Sequence, residues 1–226
     1  MAHPRPSLVL FDAFGTLIGV EPPVPALAAL LADAGYPHDE DVVAAALSEE
    51  ILHYRARMHI ARDPAGLSAL RGECGAVLAR ALGPGAPDAA TTTTMLVESL
   101  RFRLQDDALP ALEALQAAGI RVGVVSNWDC ALPDHLARLG VAGRFDVIAV
   151  SAVVGAAKPD PAIFRHALHE AGVEPARAVH VGDRRVEDYD GALGAGLRAL
   201  LLDRSGTSQG PAVITTLAAV PGRVAA

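Results

Sequence analysis

The sequence predicts an α/β protein in which a doubly wound parallel sheet carries an inserted α-helical cap domain. Three observations lead to this fold class. Short apolar runs of strand length recur in the second half of the chain, helical segments separate them, and a long helix-only interval follows the first run. Regular alternation of strand and helix is typical of right-handed βαβ units, whose active sites lie outside the carboxyl ends of the strands.

The predicted strands are five β-branched or leucine-rich runs. They are LVLF at 8–11, RVGVVS at 121–126, DVIAV at 146–150, AVHVG at 178–182 and LRALLL at 197–202. Such short apolar runs are typical of buried parallel strands. The intervening PDHLARLG and PAIFRHALHEAG segments place apolar residues at helical spacing and end in glycine, as helices often do.

The interval from 19 to 104 is predicted to be an inserted domain of four helices. These helices are expected at 24–35, 40–62, 66–82 and 88–102. The breaks GYPHD, RDPAG and GPGAP separate them. The predicted division is therefore a core formed by 1–18 and 105–226 and a helical cap formed by 19–104, with a last strand or helix near the carboxyl terminus.

Composition and charge exclude several functional classes. The chain has 226 residues, 51% hydrophobic and 20% charged, with a net charge of −7, which favours a packed globular protein and gives no electrostatic footprint for nucleic acid or an anionic membrane. Cys74 and Cys130 are too few for a disulfide framework, which fits a reducing compartment. Because neither a signal pattern nor an apolar stretch of about 20 residues is found, we expect a cytoplasmic protein without a membrane partner.

The first strand ends in FDAFGTL, which places Asp12 at a carboxyl edge before a turn that contains Gly15 and Thr16. An aspartate there can act as a nucleophile. Attack on a phosphate ester requires a cation that neutralises the repulsion between the two anions, so the motif predicts a metal partner. A helix-capping aspartate is the alternative interpretation.

Two further motifs follow the same pattern. VVSNWD offers the Ser126 hydroxyl and the Asn127 backbone amide at the expected start of the next helix, where they could hold an oxyanion. GAAKPDPAIF offers Lys158, whose ammonium could balance carboxylates and bound phosphate at the sheet edge. The alternatives are a helix-capping serine and a solvated lysine.

The fourth motif, HVGDRRVEDYDGA, offers Asp183 and Asp188, with Glu187 and Asp190 nearby. Magnesium prefers carboxylate and water oxygens and commonly uses one or two protein carboxylates together with substrate phosphate. The motif therefore predicts a Mg²⁺ site, and a solvated acidic helix start is the alternative.

Taken together, FDAFGTL, VSN, KPDPAIF and HVGDRRVEDYDGA resemble the haloacid dehalogenase-like hydrolase superfamily, over residues 7 to 203. The helical insert directly after the first motif resembles the small helical cap of that superfamily's subfamily I. KPDPAIF with HVGD and DYDGA especially resembles the haloacid dehalogenase-like hydrolase domain-containing proteins. The resemblance implies a Rossmann-like core, hydrolase activity with Mg²⁺, a small anionic substrate, and a monomer or homodimer.

The resemblance also implies a role for each residue that matches a motif. The residues that would hold magnesium are Asp12, the main-chain carbonyl of Phe14, Asp183 and, in support of the metal shell, Asp188. The residues that would act on the substrate are Asp12 as nucleophile, Lys158 as its orienting cation, Ser126 and Asn127 as holders of the transferring group, and Thr16 as the residue that steadies the loop.

The sequence departs from the superfamily's phosphatases at Phe14, where those enzymes usually have a second aspartate that protonates the leaving group and later activates water. Loss of a positioned acid and base typically lowers the rate by about 100- to 10,000-fold. We therefore expect a preference for acyl or aryl phosphates over sugar phosphates, and slow breakdown of the aspartyl-phosphate intermediate.

An aromatic residue at this position resembles the L-2-haloacid dehalogenases, whose nucleophile displaces halide at carbon without a metal. Those enzymes replace the fourth-motif aspartate by a neutral residue, whereas this chain retains Asp183. A second uncompensated carboxylate beside Asp12 would oppose nucleophilic attack unless a cation lay between them. The prediction is therefore a magnesium-dependent phosphohydrolase of a small phosphorylated metabolite, with a dehalogenase or a weakly catalytic metabolite-binding protein as alternatives.

Other residues are candidates for substrate specificity. Arg184 and Arg185 could contact an anionic substrate, and Trp128 could line the entrance to the site. The predicted cap adds Tyr54, Arg55, Arg57 and His59. Exposed arginines and a packed tryptophan are the alternatives, so none of these residues belongs to the predicted site.

Overall fold

The computed structural model describes residues 5–225, which form two compact units. The first unit contains the described residues up to Gly19 and from Leu104 onward, and the second is Val20–Arg103. Residues 1–4 and 226, which the predicted core range includes and on which part of the signal-sequence prediction depends, lie outside the described residues.

The secondary structure follows the predicted alternation of strands and helices. The strands are β1 Leu8–Phe11, β2 Ile18–Val20, β3 Phe102–Leu104, β4 Arg121–Ser126, β5 Val147–Val150, β6 Ala178–Gly182, β7 Arg198–Leu202 and β8 Val213–Ile214. The α-helices are α1 Pro23–Asp33, α2 Glu40–Arg57, α3 Pro64–Leu82, α4 Ala89–Ser99, α5 Ala108–Ala117, α6 Leu132–Arg138, α7 Ser151–Val154, α8 Pro161–Ala171, α9 Gly191–Gly194 and α10 Val220–Ala225. A π-helical turn, Arg185–Asp190, follows β6.

Six of the strands between residues 5 and 225 form one parallel sheet in the order β5-β4-β1-β6-β7-β8. This is the doubly wound order, so the predicted fold class is confirmed. The chain winds outward from β1 in one direction through β4 and β5, and in the other through β6, β7 and β8. A ligand is expected at the carboxyl ends of β1 and β6, where the winding reverses.

The strands of the sheet are buried on both faces because helices cover them. All four residues of β1 have no exposed surface, and β6 is buried throughout. Helix α8 contributes Phe164 and Ala167 to the cluster around β1 and β5. Gly123 in β4 is required by packing, since a Cβ at that position would press against the side chains of Val147 and Leu10.

The second unit has its own apolar core, built from α1 to α4. Asp63 caps α3 by accepting a hydrogen bond of 2.8 Å from Gly66 N, and Pro64 occupies the first turn, where its missing N–H has no partner to lose. Asp88 caps α4 in the same way through Thr91 N at 2.8 Å. No helix in residues 5–225 combines the length and apolarity that crossing a bilayer requires.

Two helix ends in this unit differ from the prediction by three residues or more, and the other helix boundaries differ by at most two. The helix expected at 40–62 ends at Arg57 and continues as a 3₁₀ turn, Met58–Ile60, because the Asp63–Pro64 pair already starts the next helix. The helix expected at 88–102 ends at Ser99, and the chain then forms β3. Strands β2 and β3, which pair with each other, were not predicted.

Candidate active site

The loop after β1 turns tightly and fixes Asp12 at the carboxyl edge of the sheet. The Asp12 N–H donates to Val181 O on β6 at 2.9 Å, so the first residue of the loop is still tied to the sheet. Gly15 then adopts a φ of 87° and donates to Ile18 O at 2.8 Å. This left-handed conformation favours glycine, which explains the residue at the turn.

Ser126 and Lys158 both bind the same oxygen of Asp12. Ser126 Oγ donates to Asp12 Oδ1 at 3.0 Å, and Lys158 Nζ donates to that atom at 2.6 Å. Burial alone would lower the pKa of Lys158, but Asp12 and Asp188 outweigh burial and raise that pKa above its usual value. The ammonium is therefore charged, and the structure brings together three of the predicted site residues from the ends of β1 and β4 and from the loop before α8.

Lys158 is also distinctive in the sequence. It is the one lysine among 19 basic residues, and it is almost completely buried. A lysine ammonium is a compact point charge, whereas a guanidinium is a wide planar fork. The narrow space between Asp12 and Asp188, at 2.6 and 2.5 Å from Nζ, suits the smaller cation.

The side chain of Asn127 fixes the loop that carries Lys158. Its Nδ2 donates to Lys158 O at 2.9 Å, and its Oδ1 accepts from Lys158 N at 2.7 Å. The predicted helix start at Asn127 is wrong, since α6 begins at Leu132. The reason is a turn in which Asp129 Oδ1 accepts from Ala131 N at 2.8 Å before the helix starts.

Asp183 lies beside Asp12 without an ion-pair partner among residues 5–225. Ligand oxygens of Asp12, Asp183 and Asp188 lie within 4.8 Å of one another. Burial, then Asp12 and Asp188, raise the pKa of Asp183 to about 6. Its Oδ1 is buried and has no hydrogen-bond partner among the described residues, so the donor set and the orphaned oxygen fit a hard divalent cation such as Mg²⁺.

Asp188 has both carboxylate oxygens engaged within the protein. Oδ1 accepts from Lys158 at 2.5 Å and lies 2.9 Å from His180 Nε2, while Oδ2 accepts from Arg184 N at 2.9 Å. Burial opposes its ionisation, but Lys158 and His180 outweigh burial and hold the pKa of Asp188 well below its usual value. This arrangement leaves Asp183 with more freedom than Asp188 to bind a metal directly.

His180 is a buried residue of the site that the sequence analysis missed. Burial lowers its pKa, so the ring is neutral, and Nε2 must carry the proton because an ionised Asp188 can only accept. Its ring packs edge-on against Phe164, with centroids 5.1 Å apart. The signal in the sequence is a single polar residue inside the otherwise apolar AVHVG strand.

Phe14 lies in the loop formed by residues 12–17, the nucleophile loop, and forms an aromatic pair with Trp128. Their ring centroids are 6.0 Å apart with the planes at 66°, and Trp128 in turn packs against His135 at 5.9 Å. Trp128 is buried, whereas Phe14 remains 44% exposed. Residue 14 thus offers an aromatic ring and no carboxyl group, whereas the superfamily's phosphatases usually have their acid and base at this position.

Thr16 is buried, but its hydroxyl makes no hydrogen bond among residues 5–225. The loop is instead held at its main chain, where Arg204 Nη2 donates to Thr16 O at 3.0 Å. Sequence analysis did not identify Arg204. A cavity of about 310 Å³ opens nearby and is lined in part by Gly15, Asp183, Arg185 and Arg204.

Two of the remaining specificity candidates, Arg185 and Arg57, form ion pairs. Arg185 is exposed, stacks on Tyr189 at 4.5 Å and pairs with Asp190 at 3.2 Å. In the second unit, Arg57 pairs with Glu73 at 3.1 Å. Their roles in substrate binding stay predictions.

Comparison with known proteins gives the family. A family model described as haloacid dehalogenase-like hydrolase matches residues 6–196. Haloacid dehalogenase-like hydrolase domain-containing protein 3 of Mus musculus is 39% identical over 125 residues, which cover 52% of this chain and 50% of the mouse protein. A phosphoserine phosphatase of Thermus thermophilus is 35% identical over 126 residues, which cover 53% and 49% of the two chains.

The fold likeness extends further along the chain. The crystal structure of a 2-haloacid dehalogenase from Pseudomonas syringae superposes with a TM-score of 0.66 and 28% identity, covering 97% of this chain and 98% of that one. The chain spans about half the length of the curated relatives that it matches. Because the family model covers most of the chain, the protein belongs to the haloacid dehalogenase-like hydrolases, as its motifs predict.

Proposed function

We propose that this hydrolase is a magnesium-dependent phosphohydrolase that acts on a small phosphorylated metabolite through an aspartyl-phosphate at Asp12. The observation that carries the proposal is the carboxylate of Asp183 beside Asp12, without a cationic partner among the described residues and with its pKa raised to about 6. Lys158 pairs with Asp12 and Asp188 but not with Asp183, so the three carboxylates of the site carry more negative charge than this one lysine balances. A divalent cation bound by Asp12, Asp183 and the Phe14 carbonyl, with Asp188 in support, would supply it.

Asp12 Oδ2 is the oxygen that would attack phosphorus. Ser126 and Lys158 both bind Oδ1, which orients the carboxylate and leaves Oδ2 without a hydrogen bond among the described residues. The new O–P bond forms as the bond from phosphorus to the leaving oxygen breaks. Water then attacks the aspartyl-phosphate, which releases inorganic phosphate and restores the carboxylate. When bound, Mg²⁺ supplies positive charge against the phosphoryl oxygens.

Ser126 and Asn127 are proposed to steady the transferring phosphoryl group, with Lys158 as the orienting cation. Ser126 Oγ is within hydrogen-bond distance of the nucleophile, so it can also reach a group attached there. Asn127 can contribute only its main-chain amide, since its side chain is bound to Lys158. Thr16 is proposed to steady the loop by packing.

Phe14 decides which phosphate esters this site can cleave. With an aromatic ring in place of an acid, the leaving oxygen must depart without a proton from that position. Acyl and aryl phosphates have good leaving groups and should be cleaved faster than sugar phosphates. The same absence of a base should slow hydrolysis of the aspartyl-phosphate, which would accumulate.

Similarity to a phosphatase supports this proposal, because the phosphoserine phosphatase of Thermus thermophilus is 35% identical over the aligned half of the chain. The expectation of a cytoplasmic protein that is a monomer or homodimer remains a prediction.

The first experiment measures phosphate release from a panel of acyl, aryl and sugar phosphates, with Mg²⁺ or with a chelator. Asp12→Asn is the test variant. Asp146→Asn is a matched control, because Asp146 precedes β5 at the opposite edge of the sheet and pairs there with Arg121. Magnesium-dependent turnover that Asp12→Asn loses and Asp146→Asn keeps would support the proposal. Turnover that is unaffected by the chelator would refute it.

A metal-independent dehalogenase is the second candidate, favoured by the Phe14–Trp128 pair next to the nucleophile. Two aromatic rings offer an apolar surface to a haloalkyl carbon, and the 28% identical dehalogenase structure has the same fold. Halide release from L-2-chloropropionate in the presence of chelator would select this reaction. If neither phosphate nor halide release depends on Asp12, a weakly catalytic metabolite-binding protein is the remaining interpretation.

A further inference from the structure

Arg204, which follows β7, forms hydrogen bonds to the nucleophile loop. It lies two residues after β7, and its Nη2 donates to Thr16 O at 3.0 Å while Nε lies 3.4 Å from Gly15 O. Both acceptors are main-chain carbonyls between Asp12 and β2. The guanidinium therefore binds the backbone of this loop rather than any side chain in it.

Asp107 holds Arg204 in place. Its two oxygens accept from Nη1 and Nη2 of Arg204, each at 3.0 Å, in the bidentate geometry that makes arginine–carboxylate pairs specific. Oδ2 also accepts from Thr216 Oγ1 at 2.7 Å and from Leu217 N at 2.8 Å. Although burial opposes its ionisation, these donors lower the pKa of Asp107 to about 2, so it is anionic at neutral pH.

The nucleophile loop limits the space around the carboxylate of Asp183. A Cβ added at Gly15 would overlap the Asp183 carboxylate, so the loop and the carboxylate are in close contact. The loop also carries the carbonyl of Phe14 and starts at Asp12. A small displacement at Gly15 would therefore move two groups that must stand in fixed geometry around the nucleophile.

We propose that Arg204 and Asp107 form a positioning clamp that sets the geometry of the nucleophile loop and thereby the rate of the chemical step. Neither side chain binds the nucleophile, so both are positioning residues. The choice of assay depends on the proposed phosphohydrolase function, but the clamp itself does not. Since the Arg204 side chain is 34% exposed and Asp107 keeps its hydrogen bonds to Thr216 and Leu217, replacing Arg204 should change global stability little, and its effect should be in the rate.

Arg121 provides a matched control for Arg204. It also pairs with an aspartate, Asp146, and donates to a main-chain carbonyl, Ala171 O, at 2.8 Å. It begins β4 and Asp146 precedes β5, so this pair lies at the amino ends of the strands, away from the nucleophile.

The test compares Arg204→Gln, Arg204→Lys and Arg121→Gln for kcat and KM on the best phosphate ester found, and for amide hydrogen exchange in the peptide that spans Asp12 to Ile18. We expect Arg204→Gln to lower kcat about tenfold or more with little change in KM, and to speed exchange in that peptide. Arg121→Gln should change neither. The kcat and the exchange rate of Arg204→Lys should lie between those of the wild-type protein and Arg204→Gln. An ammonium can donate to a carbonyl, but it cannot also bridge the carboxylate.

Two results would overturn the clamp. One is a kcat for Arg204→Gln equal to that of Arg121→Gln, and the other is unchanged exchange in the Asp12–Ile18 peptide. If Arg204→Gln fails to fold, Arg204→Lys and Asp107→Asn are judged by the same two criteria. If the wild-type protein cleaves no phosphate ester, the proposed function fails, and hydrogen exchange alone decides whether the clamp exists.

Discussion

Replacing Asp183 by asparagine should stabilise the metal-free protein at neutral pH and greatly reduce its stabilisation by Mg²⁺. In the native state the ionised carboxyl group is penalised by burial and by repulsion from Asp12 and Asp188, and it has no ion-pair partner within residues 5–225. An asparagine of nearly the same shape removes the charge and keeps the packing. Without a bound metal, the variant should therefore be more stable than the wild-type protein.

The magnitude follows from the shift of the pKa from 3.8 to about 6. At about 1.36 kcal/mol per pKa unit, the free-energy cost of ionising Asp183 in the folded protein is at most about 3 kcal/mol. Because Asp183 is partly accessible, solvent screening reduces this cost to about 1 kcal/mol. For a chain of this length that corresponds to a rise in Tm of about 2 to 4 °C.

The sign of the pH dependence is fixed by linkage. The folded pKa lies above the unfolded value, so the native state binds the proton more tightly and loses stability as pH rises from about 4 to about 6. The advantage of Asp183→Asn should thus be complete above about pH 6 and vanish below about pH 4.

The assay is thermal unfolding by calorimetry, with chelator and with saturating Mg²⁺, at about pH 7.5 and about pH 4. Mg²⁺ at 100 times its Kd should add about 2.7 kcal/mol to the wild-type protein and much less to the variant, which reverses their order. Asp146→Asn, at the far edge of the sheet, is the control. A lower Tm for Asp183→Asn than for wild type in chelator near neutral pH, or a difference independent of pH, would refute the reasoning.

Three other substitutions test separate parts of the site. Lys158→Met should lower the free energy of unfolding by about 3 to 5 kcal/mol in urea titrations, because it leaves buried carboxylates without their cation; a loss below about 1 kcal/mol would contradict the ion pair. Phe14→Asp should raise turnover of alkyl phosphates at least about tenfold while aryl phosphates gain less, and equal gains would show that the missing acid and base is not the limit. Gly15→Ala should weaken Mg²⁺ binding in calorimetric titrations and lower the free energy of unfolding by about 1 to 3 kcal/mol, because the added Cβ would overlap the Asp183 carboxylate and a φ of 87° strains alanine. An unchanged Mg²⁺ affinity would contradict this contact.

Five of the six strands of the parallel sheet could be predicted to within one residue, because each is a mostly apolar run of four to six residues. The sixth, β8, has only two residues, and its weak apolar pattern predicted either a strand or a helix. LVLF and AVHVG correspond to β1 and β6 without any shift. Strands β2 and β3 could not be predicted, since each has three residues and they pair across more than 80 positions of sequence. For the same reason the prediction of a helix over 88–102 extends past Ser99, where α4 ends, to the start of β3.

The positions of the site residues were predictable, whereas their contacts were not. Parallel strands bring their carboxyl ends to one edge, so motifs that follow β1, β4 and β6 must meet there. The pairing of Asn127 with the Lys158 main chain and of Arg204 with the nucleophile loop depends on loop conformations that no periodic pattern encodes. His180 is harder to predict, because its one signal, a polar residue inside an apolar strand, has no fixed spacing to a partner residue.

The two candidate reactions require opposite protonation states of Asp183, and this separates them. Displacement of halide by Asp12 without a metal needs an ionised Asp12 beside a neutral Asp183, so its rate should increase as pH falls through about 6, where Asp183 takes up its proton. Burial also raises the pKa of Asp12, so the rate should fall again at the lower pH where the nucleophile itself is protonated. Magnesium binding needs the ionised form, so metal-dependent phosphate release should rise through the same range. The Phe14–Trp128 pair is compatible with either reaction, because an apolar wall does not titrate. The direction of the pH profile between about pH 5 and about pH 7 therefore reports on which charge state of Asp183 the chemistry uses.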